Sequence, residues 1–380
     1  MLKYSRYVLI NESQDPMLYC TVQGISLPID ASDAILSANF MLAGQEDDAL
    51  DYKLFNPRGT KITIIPTWGC NLRCKHCVVI DKLEKGSHSD LDVEQLIDFM
   101  AEFGASNIIK NACLVGGEPL LRPDLILALM NRLPNWGFSV TSNLTVDLTE
   151  DHLSIIDRLK SMSVSVDGLP HNHNSQRISL NKEPDVFGKT VSNIKRLVKC
   201  GYKAKISIQA AVQEINADER DSYIHFFANI GISLDLISYG LIHPHPRGAG
   251  KGFHNLLKNM PIVTNPCCKY QPGSQCTILP DNTVVSDFYT RTPLGTIYDD
   301  PKDIIEKHRQ LLREYMPAYN DPVCRKCEVI GLCWGQCSNC EPLTGMNPSK
   351  YCDQEGLIAK AKKLAASGHF ITHRSPQCSP

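Results

Sequence analysis

From Lys61 onward, short apolar runs of strand length alternate with longer segments whose apolar positions recur at helical spacing, which predicts βα units around a parallel sheet. Six strands are expected, at Ile62–Ile65, Ile108–Val115, Phe138–Thr141, Met162–Val166, Ala204–Ala211 and Leu234–Tyr239. Helical segments follow the first five, at Val93–Phe103, Leu125–Leu133, His152–Leu159, Val186–Cys200 and Glu219–Ile230. Ahead of them lie two strand-like runs, Tyr7–Ile10 and Leu18–Val22, and a helix-like stretch around Ala34–Leu42. This opening portion reads as a packing lid or as a surface that docks a peptide by strand addition. Past the sixth strand, HPHPRGAG at 243–250 breaks regular structure with two prolines and two glycines and marks a boundary. The expected division is an N-terminal segment 1–57, a βα region 58–250, a cysteine-rich region 251–365 and a tail 366–380.

Composition narrows the class. The 380 residues are 43% hydrophobic, enough for real cores, and no stretch is long and apolar enough to cross a membrane. The start, MLKYSRYVLINES, lacks a cleavable secretory pattern, so a cytoplasmic protein is expected. A formal net charge of -2 without long basic runs argues against a nucleic-acid partner held by phosphate contacts. Sixteen cysteines in such a chain point to metal clusters rather than a disulfide framework. Nine of them fall between Cys267 and Cys352, so there is an early and a late cysteine centre.

The early centre is PTWGCNLRCKHC at 66–77, where Cys70, Cys74 and Cys77 form a CxxxCxxC triad just past the first strand. Structural zinc sites usually reach four ligands by pairing CxxC units, and the one further donor nearby, His76, is poorly placed beside Cys77. A [4Fe–4S] cube held by three thiolates keeps one iron without a protein ligand. The triad resembles the signature of the radical S-adenosylmethionine (SAM) superfamily, in which SAM chelates that iron. The resemblance implies a partial (β/α)6 TIM-like barrel with its chemistry at the C-terminal strand ends. It also implies a 5′-deoxyadenosyl radical made by reductive cleavage of SAM, with flavodoxin or ferredoxin as electron donor.

The remaining strand ends are similar to the superfamily's SAM contacts. GGEP after the second strand supplies Gly116, Gly117 and Glu118, which the resemblance places at the SAM amino group. The third strand ends in Thr141, Ser142 and Asn143, whose polar side chains suit ribose hydroxyls. The fourth ends SVSVDG, with Ser165 and Asp167 on one side of a period-two strand. The DGLPHNHNSQR that follows resembles a DG…H…R stretch of these enzymes and makes Arg177 the expected partner of the SAM carboxylate. His171 and His173 read as solvated loop residues. Gln209 on the fifth strand is either an adenine or ribose contact or a satisfied core polar group.

The late centre reads CxxCx5Cx3C at Cys324, Cys327, Cys333 and Cys337, with Cys268 and Cys276 before it and Cys352 after it. It resembles the SPASM extension, which carries two auxiliary Fe–S clusters; CxxC pairs alone would also suit zinc. NTVVSD departs from the family by placing Asp287 where a thiolate is expected. The resemblance assigns Cys268, Cys276, Asp287 and Cys337 to one auxiliary cluster and Cys324, Cys327, Cys333 and Cys352 to the other, with Cys267 and Cys340 as possible substitutes. Three functions compete: a maturase acting on a ribosomally made peptide or protein, which is favoured, the same chemistry on a small-molecule cofactor precursor, and a non-catalytic Fe–S electron-transfer protein. GGEP and TSN count against the last. No residue is assigned as a catalytic acid or base.

Overall fold

The computed structural model describes residues 7–10, 17–20, 25–28, 59–77, 79–84, 91–105, 109–241, 275–286, 288, 291–315, 358–359 and 362. The chain forms two compact units, one made of residues 1–57, 264–273 and 309–380, the other of 58–263 and 274–308. In the first, β1 (Tyr7–Ile10), β2 (Met17–Cys20) and β3 (Ile25–Pro28) make an antiparallel sheet in that order. The sequence predicted the first two strands; β3 is only four residues long and ends in proline, a weak signal of the kind found at sheet edges. The predicted helix around 34–42 lies outside the described residues.

The second unit carries the βα pattern. Its strands are β4 (Gly59–Ile64), β6 (Ile109–Leu114), β7 (Gly137–Ser142), β8 (Ser161–Ser165), β10 (Ile206–Val212) and β11 (Ile237–Leu241), with short β5 (Leu72–Cys74) and β9 (Arg177–Ser179) set apart as a ribbon. After them come β12 (Gln275–Ile278), β13 (Thr283–Val285) and β14 (Pro293–Thr296). The main sheet runs β11-β10-β8-β7-β6-β4-β12-β13-β14, parallel from β11 to β12 and antiparallel over the last two strands. The sequence reading missed β12 as a seventh parallel strand because it returns from beyond the proline- and glycine-rich break. Two starts also shift: 202–205 and 234–236 are 3-10 turns, so β10 and β11 begin only afterwards. No helix among the described residues is long and apolar enough to cross a membrane.

The two faces of this sheet differ in chemistry. Ile62, Ile64, Ala112, Leu114, Phe138, Val140, Met162, Val164, Ile206 and Ile208 are buried on one. Right-handed crossovers put the helices on that side. Their ends are set by local caps: Asp92 accepts from Gln95 N at 3.1 Å, Asp185 accepts from Gly188 N at 2.8 Å, and Thr149 forms a capping box with His152. The opposite face holds Thr63, Cys113, Ser139, Thr141, Ser163, Ser165, Ser207 and Gln209, small or polar side chains that are half-buried or exposed. They sit in register, Thr141 beside Ser163, Ser163 beside Ser207, and Ser165 beside Gln209. A parallel sheet covered by apolar layers on both sides reads as unbroken hydrophobic runs. This one keeps a hydrophilic inner face for something that is not core.

Candidate active site

The cysteine loop begins where β4 ends. Apolar Ile65, Trp68, Val79 and Leu83 are buried around it, with Leu279 just past β12 and Val285 of β13, and Cys70 and Cys77 sit against that cluster. Burial, the largest influence, pushes the Cys70 thiol up to about 12 and the Cys74 thiol up to about 11, and it also raises Cys77. Glu118 and the other two cysteines of the loop add to the rise at Cys70, while the Leu72 amide works against it. They are free thiols in the chain. Three soft donors on one loop, Cys70 and Cys77 against apolar side chains and Cys74 beside Arg177, protonated until a metal displaces the protons, fit an iron–sulfur cluster. Among the described residues no three Cys, His, Asp or Glu side chains sit close enough to hold a single ion.

GGEP is fastened to this loop. Gly117 N donates to Thr67 O at 3.1 Å and Glu118 N to Gly69 O at 2.8 Å. A Cβ on Gly117 would lie 2.0 Å from Gly69 O, and Gly116 holds φ +133. The two glycines therefore allow one strand-end loop to lie against another, whereas the sequence reading used them for approach to a ligand. Gly117→Ala is expected to push the cysteine loop out of place and lower iron incorporation at least about tenfold while the fold survives. Iron and sulfide assays with circular dichroism check it.

Glu118 is 1% exposed, and its carboxylate accepts from Ser142 Oγ at 2.8 Å, Asn143 N at 2.8 Å and Leu120 N at 3.1 Å. Burial outweighs these bonds and raises its pKa. Glu118 thus staples the end of β6 to the end of β7. Ser142 is spent on that staple and on accepting from Leu144 N at 2.8 Å. Asn143 accepts from Thr145 through Oδ1 and donates Nδ2 to Asn71 Oδ1 at 3.0 Å and to Cys70 Sγ at 3.8 Å. Leu72 N donates to the same sulfur at 3.4 Å. Polar residues expected at the ribose of SAM here hold the cysteine loop.

Asp167, at the end of β8, is the hub of the other half. It is fully buried, and its carboxylate accepts from Arg177 Nε at 2.6 Å, Arg177 Nη2 at 3.1 Å and Ala211 N at 3.0 Å, with His76 Nε2 3.2 Å away. Burial works to raise its pKa, but Arg177 and His76 prevail and hold the carboxyl well below the usual range. Arg177 points its remaining nitrogen, Nη1, at Cys74 Sγ, 3.9 Å away. The fork expected to hold the SAM carboxylate is engaged by Asp167. Asn216 Nδ2 donates to Asp167 O at 2.9 Å and Tyr223 OH to Val166 O at 2.8 Å, fixing the backbone on either side.

Two histidines were undervalued in the sequence. His173, read as a solvated loop residue, is fully buried; its Nδ1 accepts from Asp167 N at 3.1 Å, and burial with the nearby Arg177 charge lowers its pKa to about 3. His76, dismissed as a ligand, bridges Asp167 and Gln213, whose Nε2 is 3.3 Å from His76 Nδ1. The sequence also missed the ribbon of β5 and β9, which pairs Cys74 with Arg177 and Leu72 with Ser179. Its signal was the polar–apolar alternation of Arg177, Ile178, Ser179 and Leu180.

Of the other expected SAM contacts, Ser165 is half-buried and Gln209 exposed, side by side on the inner sheet face. Cys276 is 1% exposed on β12, opposite Ile62 in the register, and burial raises its thiol. Cys268, Asp287, Cys324, Cys327, Cys333, Cys337 and Cys352 lie outside the described residues, as do Cys267 and Cys340.

Residues 64–227 match the family model described as the radical SAM superfamily. Curated relatives include a GTP 3′,8-cyclase of Nautilia profundicola, 27% identical over 183 residues that cover 47% of this chain and 55% of that protein. A probable GTP 3′,8-cyclase of Sulfurisphaera tokodaii is 28% identical over 197 residues, 50% of this chain and 59% of its own. The chain thus spans about half the length of the curated relatives it matches. Among solved structures, native anSMEcpe with bound AdoMet and Cp18Cys peptide has a TM-score of 0.60 at 17% identity, covering 81% of this chain and 99% of that one. At that identity the likeness concerns the fold.

Proposed function

We propose, from the premise that residues 64–227 are a radical SAM domain and that the chain is an enzyme using S-adenosylmethionine, that it abstracts hydrogen from a residue of a ribosomally synthesised peptide or protein. The product is crosslinked, epimerised or oxidised. One observation carries the substrate class: nine further cysteines between Cys267 and Cys352 accompany the triad. Auxiliary clusters held there give the electron of an oxidised product radical somewhere to go. In this reading Cys268, Cys276, Asp287 and Cys337 hold one such cluster, and Cys324, Cys327, Cys333 and Cys352 the other. The anSMEcpe structure, bound to AdoMet and a peptide, shares only the fold but is compatible with it.

When bound, the cluster and SAM supply a 5′-deoxyadenosyl radical. The chain's own residues do the rest. Cys70, Cys74 and Cys77 would hold the iron, with Ile65, Trp68 and Val79 packed as an apolar wall against Cys70 and Cys77. The Leu72 amide, Asn143 and Arg177 direct N–H groups at Cys70 and Cys74, which steadies the thiolates. The backbone of Gly116 and Gly117, with Ser165 and Gln209 on the hydrophilic inner face, is left to contact SAM. Glu118 and Asp167, whose oxygens are already engaged, act by positioning.

A second reading, action on a cofactor precursor such as GTP, is favoured by the names of the curated relatives. The experiment is anaerobic turnover with SAM, offering GTP in one arm and the products of small reading frames beside the gene in the other. A peptide that speeds 5′-deoxyadenosine formation and changes mass supports the first reading; consumption of GTP in its place overturns it.

A further inference from the structure

We propose that the outer face of the β5–β9 ribbon is the landing surface for an acidic one-electron carrier of the flavodoxin class, an inference that rests on the radical SAM reading above. The ribbon pairs Leu72 with Ser179, Arg73 with Ile178 and Cys74 with Arg177. Side chains alternate between the faces of a strand, so Cys74, Arg177, Leu72 and Ser179 share one face, and Arg73 and Ile178 share the other. The first face is turned inward: Leu72 and Ser179 are buried, and Arg177 is closed on Asp167. The second is open, with Ile178 44% exposed and Leu180, just past the strand, 52% exposed. Leu180 N donates to Asn71 O and Lys75 N to Gln176 O, both at 2.9 Å, so the ribbon continues past its paired strands at both ends.

Ile178 and Leu180, two residues apart, form a small exposed aliphatic patch. Charge says what covers them. Lys75 and Lys182 are exposed. Arg73 spends its guanidinium on the carbonyls of Cys70 at 2.9 Å and Leu72 at 3.0 Å. Among the described residues none of these three cations is paired with a carboxylate, and residues 71–77 and 176–183 contain one acid, Glu183. Arg177 does not count, because Asp167 neutralises it. An apolar centre with a basic rim suits an acidic partner, which is drawn in by the field and held by the aliphatic contact. Position supplies the purpose. A carrier seated there is separated from the Cys74 sulfur by the thickness of one strand, while the inner sheet face stays open to SAM and substrate. One electron passes inward; the flavin hydroquinone of the carrier is oxidised to its semiquinone and the Cys70–Cys74–Cys77 site is reduced by one electron.

The test follows reduction of the reconstituted full-length protein by stopped-flow absorbance, with a purified acidic flavodoxin hydroquinone as the probe and dithionite as the control. The double variant Lys75→Glu, Ile178→Glu inverts the charge and removes the aliphatic contact. Flavodoxin-driven reduction is expected to fall at least about tenfold and the salt dependence of its rate to vanish. Reduction and SAM cleavage driven by dithionite stay as in the wild type. A flavodoxin rate within about twofold of wild type, or equal losses with both reductants, overturns the proposal. If the double variant fails to take up iron, Leu180→Glu, outside the paired residues, is expected to slow reduction by flavodoxin and leave reduction by dithionite unchanged, and an unchanged flavodoxin rate or equal losses with both reductants overturns the proposal. Dithionite-reduced wild-type protein that cleaves no SAM contradicts the radical SAM reading itself, and that result is independent of the surface.

Discussion

Replacing Cys70, Cys74 and Cys77 together by alanine is expected to remove 5′-deoxyadenosine formation entirely and to take about four irons from the reconstituted protein, leaving whatever iron the late cysteines bind. The loss is total because all three soft donors of the loop are removed at once, and alanine offers iron no ligand. The fold should survive: cysteine to alanine removes one small group each from positions that are partly open rather than fully buried. Iron and sulfide assays beside chromatographic detection of 5′-deoxyadenosine decide it, and residual cleavage by the triple variant would move the site elsewhere.

The second large effect belongs to Arg177. Arg177→Ala leaves the Asp167 carboxylate buried with neither of its two guanidinium bonds, and removing one partner of such a pair costs about 3–5 kcal/mol. It also strips the donor aimed at Cys74 and loosens the side of the ribbon that holds the cysteine loop. Iron uptake and urea stability are therefore expected to fall together. The dependence on pH distinguishes this from general damage. Arg177 and His76 hold the folded-state pKa of Asp167 below its unfolded value, so their contribution is present in full above roughly pH 4 and fades as pH falls below it. In the variant the buried carboxylate keeps only His76 and the Ala211 amide against the cost of burial, so acid relieves it. The stability gap between wild type and variant should narrow from pH 7 to pH 3.5; a constant gap would mean that the Arg177 ion pair contributes nothing.

The cysteine triad was visible because Cys70, Cys74 and Cys77 lie within eight residues of chain, on one loop. The alternating strands and helices were legible for the same reason, each being a local period. Partner choice was not. Arg177 looked like a ligand-binding fork, and ten residues away Asp167 looked like a second contact. The short helix Pro170–Gln176 folds the chain back so that the two also meet each other. No periodicity announces whether a guanidinium meets a ligand or a neighbour. Glu118, Ser142 and Asn143 follow the same rule: residues expected around SAM first serve to lock two strand ends together. His173 was misjudged because a histidine in a run of Asn and His reads as solvent-exposed, although it fills a closed space beneath Asp167. The seventh parallel strand, Gln275–Ile278, was hidden by distance, since its partner β4 precedes it by some two hundred residues. The hydrophilic inner face lay in plain view, as the polar half of the alternation in Ser139, Thr141, Ser163, Ser165 and Ser207.

The account turns on three thiolates leaving one iron open to SAM, and electron paramagnetic resonance of the dithionite-reduced protein before and after SAM addition tests this most directly. To keep late-centre signals apart, the triple alanine variant is measured alongside and its spectrum subtracted. The account predicts a reduced-cluster signal that is absent from the variant and changes shape on adding SAM, with 5′-deoxyadenosine appearing in the same tube. A signal in the difference spectrum that SAM leaves untouched, with no 5′-deoxyadenosine formed, would contradict it.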